Sequence, residues 1–177
     1  VGHQDPGRMK RNNLPWRPAQ SATLRWSDTG VPVSNSFDDV YYSQENGLEE
    51  SRHVFLQASE LPQRWHAATC RQFCIGELGF GTGLNFLLTW QAWRQMPTPR
   101  PDLHFLSIEK HPLTRRDLEH ALSSWPSLRE LAERLLAVYP EPLAGQHRLL
   151  LEPGLRLDLW WEDVHDALAD LVSRRQP

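Results

Sequence analysis

Phe73-Cys74-Ile75-Gly76-Glu77-Leu78-Gly79-Phe80-Gly81-Thr82-Gly83 is the stretch whose reading decides the fold. A short apolar run, Phe73 to Leu78, breaks into alternating glycines, as expected of a buried parallel strand that ends in a tight loop. Directly after it, Leu84, Leu87 and Leu88 with Phe86, Trp90 and Trp93 recur at helical spacing and predict a helix from Leu84 to Met96. Pro97, Pro99 and Pro101 end that helix and force a loop. A loop that joins a buried strand to a helix N-terminus is a natural ligand site in open α/β sheets. Its glycines take positive φ and let a ligand approach the backbone, while the first helical N–H groups point outward as donors.

Downstream, Leu103-His104-Phe105-Leu106-Ser107-Ile108 reads as a second strand, closed by Glu109. Thr114 with Asp117 resembles an N-cap pair, and Ser127 with Glu130 a capping box for the next helix. Trp125-Pro126 separates these two helices, and Pro140 and Pro142 stop the second. His147 to Leu151, the turn Glu152-Pro153-Gly154, and Leu155 to Trp161 predict a hairpin. In its second strand Leu155, Leu157, Leu159 and Trp161 face one side. A helix from Val164 to Val172 follows Glu162-Asp163. Strand alternating with helix in this way means a parallel α/β sheet.

Upstream, residues 1–66 are rich in turn formers and short apolar runs, and read as a cap or lid of short strands before a core of residues 67–177. Leu24-Arg25-Trp26 and His53-Val54-Phe55-Leu56 are the candidate strands, with the acidic, aromatic loop Phe37-Asp38-Asp39-Val40-Tyr41-Tyr42-Ser43 between them.

The chain of 177 residues, 40% hydrophobic and 23% charged, fits one globular domain. No apolar stretch is long enough to predict a membrane helix, and the first residues lack the apolar core of a secretion signal. Met9 is a candidate start. With only Cys70 and Cys74, a disulfide framework is not expected and the cytoplasm is the default compartment. A net charge of −3 does not advertise phosphate binding. The basic groups Arg8, Lys10 and Arg11, then Arg115 and Arg116, then Arg174 and Arg175 read as solvated faces. His66, Cys70 and Cys74 are spaced four apart, but no fourth ligand has suitable spacing and no metal site is expected. Trp90 and Trp93, at helical spacing, read as core rather than as stacking platforms.

The ligand of the glycine loop follows in part by elimination. Gly76 and Gly81 have P-loop spacing, but Thr82-Gly83 stands where Lys-Ser/Thr is required. A dinucleotide fingerprint built on Gly79 and Gly81 needs Gly or Ala where Leu84 stands. What remains, Glu77-x-Gly79-x-Gly81-x-Gly83, resembles motif I of Rossmann-like methyltransferases. S-Adenosylmethionine suits an acid at position 77, because it carries an ammonium and a sulfonium and no phosphate. Glu109, ending the second strand, can accept both ribose hydroxyls, and Asp163, after the third, can accept from the adenine amino group or cap the following helix. Asn85 stands just inside the helix, within reach of the cofactor's polar end.

Ser36 to Ser43, Asn46 to Glu50, Val54 to Leu56, Glu77 to Phe86, Glu109 to Arg115 and His147 to Leu151 closely resemble the methyltransferase domain of the MnmC family. The resemblance runs from about Trp26 to about Leu171. It implies a Rossmann-like S-adenosylmethionine-dependent methyltransferase fold, incomplete at the C-terminus. It also implies a cytoplasmic enzyme that methylates the amine of 5-aminomethyl-2-thiouridine at the tRNA wobble position. In full-length members an FAD-dependent domain follows and makes that amine; no stretch of this chain resembles it. The chain stops before the family's fourth core strand and the Asp-Gly-Phe-Ala-Pro segment after it. The expectation is therefore an open edge beside the first core strand and poor activity of these residues alone.

Methyl transfer to an amine needs the nitrogen unprotonated and in line with the sulfonium. Asp38, Asp39, Glu49 and Glu50 are the candidate proton acceptors, and Tyr41 and Tyr42 the candidate stacking partners of a flipped-out base. Two other readings stay open: a methyltransferase-fold enzyme with another substrate, and a non-catalytic binding fragment.

Overall fold

The computed structural model describes residues 17–43 and 46–173. The basic groups at residues 8–11 and 174–175, and Met9, lie outside the described residues.

Four strands make the main sheet: β3 (Gln72–Leu78), β4 (Asp102–Glu109), β5 (Gly145–Glu152) and β6 (Leu155–Trp161), after a small hairpin of β1 (Leu24–Trp26) and β2 (Pro32–Ser34). The order across the sheet is β3-β4-β6-β5, with β3, β4 and β6 parallel and β5 antiparallel to β6. The helices are α1 (Gly47–Ser51), α2 (Leu61–Ala67), α3 (Leu84–Arg94), α4 (Arg115–Leu122), α5 (Arg129–Val138) and α6 (Val164–Ser173). Among the described residues no helix is long and apolar enough to cross a membrane.

Most of the core lies on one face of the sheet. There α3 buries Leu84, Phe86, Leu87, Leu88, Trp90 and Trp93 against Phe105, Leu157 and Leu159. Trp90 and Trp93 are core, and each indole N–H is satisfied, by Glu152 Oε1 at 2.9 Å and the Pro101 carbonyl at 2.8 Å. The other face holds a smaller cluster in which α6 packs Ala167 onto Ile108 and Trp160. β6, covered on both sides, is therefore buried nearly throughout, and apolar except at Arg156 and Asp158.

Three local expectations are corrected. His53 to Leu56 is helical: α1 runs directly into a wider turn, Arg52–Gln57, in which the Ala58 N–H reaches the His53 carbonyl. A strand would put Val54 and Leu56 on one face, whereas Leu56 is buried and Val54 is 59% exposed. Burial of Leu56 thus overrides the strand preference of a short β-branched and aromatic run. Ser127 caps nothing; it sits in a 3₁₀ turn begun by Pro126, and Glu130 pairs with Arg94 at 3.0 Å instead. Cys74 is exposed, because β3 pairs only with β4 among the described residues and leaves Cys74, Gly76 and Leu78 uncovered on one face. The strand Pro32–Ser34 had no expectation of its own. The Thr114 cap, by contrast, forms as read, its hydroxyl accepting from the Asp117 N–H at 3.2 Å.

Candidate cofactor site

At the end of β3 the chain leaves the sheet through the glycine loop. The Gly79 N–H donates to the Ile108 carbonyl at 2.8 Å, which carries the β3–β4 pairing one residue into the loop. Gly79, Gly81 and Gly83 have φ of 86°, 53° and 69°. At Gly83, which opens α3, a Cβ would stand 2.7 Å from the Phe80 ring, so both conformation and space demand glycine. Over Gly79 nothing lies within 4 Å of the same position, leaving the backbone open to a ligand. No side chain caps α3, so its first N–H groups stay available beside the loop.

Two acids converge on this loop from neighbouring strands. Glu77 is buried, and parallel register places it opposite Ser107, whose hydroxyl donates to its Oε2 at 2.7 Å. Asn85 Nδ2, from the first turn of α3, donates to its Oε1 at 3.1 Å. Burial pushes the Glu77 carboxyl up to about 7; the bonds from Ser107 and Asn85 oppose the shift, and Glu109 adds to it. An ammonium brought near this group favours its ionised form. Glu109, the last residue of β4, accepts from the Gly81 N–H at 3.1 Å and the His111 N–H at 2.8 Å. Its carboxylate is thereby fixed at the rim of the loop.

Residues that precede the main sheet form the other wall of the site. Gly79, Gly81, Glu109 and His111 share a cavity of about 340 Å³ with Ser34, Ser36, Phe37, Asp39 and Tyr41 of the β2 hairpin and the segment after it. The size suits a small organic ligand, for which pockets of roughly 300–1,000 Å³ are usual. Tyr41 packs over Gly81 and divides this cavity from a second one, about 390 Å³, lined by Asn85, Glu50, Ser51 and Phe55 among others. Burial and the nearby Glu109 and Asp117 push the Tyr41 hydroxyl up to about 12, so it stays neutral.

The remaining site candidates fall elsewhere. Tyr42 packs its ring edge-on to Trp125 at 5.0 Å and sets its hydroxyl on the Ala121 carbonyl at 3.2 Å, while bordering the second cavity together with Asn85 and Glu50. Asp38 is ion-paired with Arg25, and Glu49 reaches Arg52 at 3.9 Å. Asp163 caps α6 through the His165 N–H at 3.0 Å and pairs with Lys110 at 3.2 Å, and these partners hold its carboxyl below the usual range. It stands at the strand ends, as read, but is not among the residues lining the loop cavity. Sequence reasoning missed Ser107, Phe37 and His111. Ser107 carried a signal, a lone hydroxyl in an apolar strand; the other two come together only through the fold.

No family model matches the chain. Curated proteins do. The tRNA 5-methylaminomethyl-2-thiouridine biosynthesis bifunctional protein MnmC of Aliivibrio fischeri is 48% identical over 170 residues, 92% of this chain and 25% of that protein. The protein of the same name from Vibrio vulnificus strain YJ016 is 50% identical over 153 residues, 83% of this chain and 23% of that one. The chain is homologous to MnmC. It spans about a quarter of the length of these MnmC relatives. Among solved structures, MnmC2 from Aquifex aeolicus superposes with a TM-score of 0.58 at 19% identity, over 85% of this chain and 45% of that one. That likeness establishes the fold, the Rossmann-like α/β arrangement expected from the glycine loop.

Proposed function

We propose that the chain binds S-adenosylmethionine at the glycine loop and is the methyl-transferring part of a tRNA wobble-uridine modification enzyme. The observation that carries the cofactor assignment is the pairing of two fixed acids, Glu77 and Glu109, with an open, positive-φ glycine backbone. That set suits a ligand with a cationic end and a ribose, and repels a phosphate. The tRNA assignment rests on the names of the relatives.

Glu77 and Asn85 would hold the amino-acid end, the glycine backbone the centre, and Glu109 the ribose hydroxyls. When bound, the cofactor supplies an electrophilic methyl group. The chain's own work is to orient an uncharged amine beside that methyl and to exclude water, in the manner of other proximity-driven transfers. Of the four acids considered as proton acceptors, Glu50 is the one lining the cavity that also contains Asn85, whereas Asp39 lines the opposite one. We assign Glu50 that role. Residues up to 66 act as the lid and those from 67 onward as the cofactor-binding core. An FAD-dependent domain belongs to this proposal only as a part of the longer relatives.

Nucleoside mass spectrometry tests the substrate. Deleting the gene is expected to make 5-aminomethyl-2-thiouridine accumulate in tRNA; unchanged wobble nucleosides contradict the assignment.

A further inference from the structure

Tyr41 is the residue at which the two cavities of the site meet. It lines both, with Gly79, Gly81 and Glu109 on one side and Asn85 and Glu50 on the other. Its ring lies on the glycine loop itself: Cδ1 and Cε1 stand 3.4 and 3.7 Å from the position a Cβ would take on Gly81. A ligand that reaches from Glu109 to Asn85 along the loop therefore has to pass where this ring stands. S-Adenosylmethionine held as proposed above is such a ligand, since its ribose, centre and amino-acid end are one continuous chain of bonds.

The backbone of Tyr41 is fixed, and its side chain is not. Val40 bridges back to Val33, and the Tyr41 N–H donates to the Pro32 carbonyl at 3.1 Å, so the residue is held against β2. The next residue shows the contrast. Tyr42 is buried, and its hydroxyl donates to the Ala121 carbonyl at 3.2 Å and lies 3.4 Å from the Ser124 hydroxyl. The Tyr41 ring is only half-buried, and among the described residues no hydrogen bond ties its hydroxyl. Rotation about its Cα–Cβ bond can thus carry the ring off the loop at the loss of packing contacts, with the backbone left in place.

We infer that Tyr41 is a gate over the glycine loop: its ring closes the path between the two cavities and swings aside to admit S-adenosylmethionine. The inference rests on the S-adenosylmethionine reading of the loop. A gate of this kind lowers affinity, because only chains with the ring displaced can bind. With a displaced population of about 10% or less, as is usual for a minor conformer, affinity falls about ten-fold or more. Removing the ring should therefore strengthen binding, the opposite of what removing a contact residue does.

Stopped-flow mixing and calorimetry with S-adenosylhomocysteine as the probe test this on wild-type, Tyr41→Ala and Tyr41→Phe chains with matched melting curves. Tyr41→Leu takes the place of the alanine variant if that one melts differently, with the same direction expected. Tyr41→Ala is expected to bind about ten-fold tighter, with the gain in the association rate. Tyr41→Phe keeps the ring and is expected to match wild type. Unchanged or slower association in Tyr41→Ala, with binding by wild type, overturns the gate and leaves the cofactor reading standing. Weaker binding through faster dissociation makes Tyr41 a wall that holds the ligand, and also overturns the gate. Equal acceleration in Tyr41→Phe assigns the effect to the hydroxyl and overturns a steric gate. A folded wild-type chain that does not bind the probe overturns the cofactor reading and the gate with it.

Discussion

The glycine cradle and the proposed lid line one cavity, but they are held in place by different means. The cradle is set by backbone: parallel register puts Ser107 opposite Glu77, three positive-φ glycines shape the loop, and Glu109 bonds the loop's own N–H. The lid is set by side chains and turns: an exposed Arg25–Asp38 pair, a strained residue, and Tyr41 packed over Gly81. Changes to the cradle's backbone should therefore damage fold and binding together, changes to its acids should act mainly on binding and pH dependence, and changes in the lid should alter binding and leave the fold.

The largest effect is expected from Gly83→Val. A side chain there meets the Phe80 ring and must adopt a left-handed conformation. The combined cost is about 3–5 kcal/mol, readable as a lower urea midpoint. A midpoint within error of wild type would break the claim that backbone sets the cradle.

Next comes the pH dependence of stability from Glu77. Its carboxyl is raised on folding from about 4.5 to about 7, so the folded chain retains a proton that the unfolded chain loses. This contribution is fully present below about 4.5 and is lost as pH rises through about 7. Its size is at most about 3 kcal/mol. Glu77→Gln should flatten the profile between those values and be more stable than wild type at pH 8. An unchanged slope would contradict the burial argument.

Glu109→Ala should cost about 2 kcal/mol of cofactor affinity, as for hydrogen bonds to a charged group, with a smaller effect on melting. On the lid side, Asp38→Gly relieves the left-handed strain and loses only an exposed ion pair, so stability should change by less than about 1 kcal/mol. A large loss there would show that the lid supports the fold, and would erase the contrast with the cradle.

The same contrast explains what could be read from the chain beforehand. Strands β3, β4, β5 and β6, helix α3 and the glycine loop were legible, because periodicity, glycine placement and proline stops are local signals. Glu77 and Glu109 were legible for the same reason, each ending or nearly ending a strand. His53 to Leu56 was misread, since its burial is decided by contacts with α3 and Phe105 rather than by local preference. Tyr42 and Tyr41 are adjacent, yet one packs on Trp125 and the other over Gly81; nothing in the sequence distinguishes them. Phe37 and His111 lie far apart in the chain and meet only through the lid.

Isothermal titration of the 177-residue chain with S-adenosylmethionine tests the central claim most directly. One site per chain is predicted, weakened by Glu109→Ala and unaffected by substitution of the distant, exposed Cys70. A folded chain that shows no binding, or binds equally well without the Glu109 carboxylate, would contradict it.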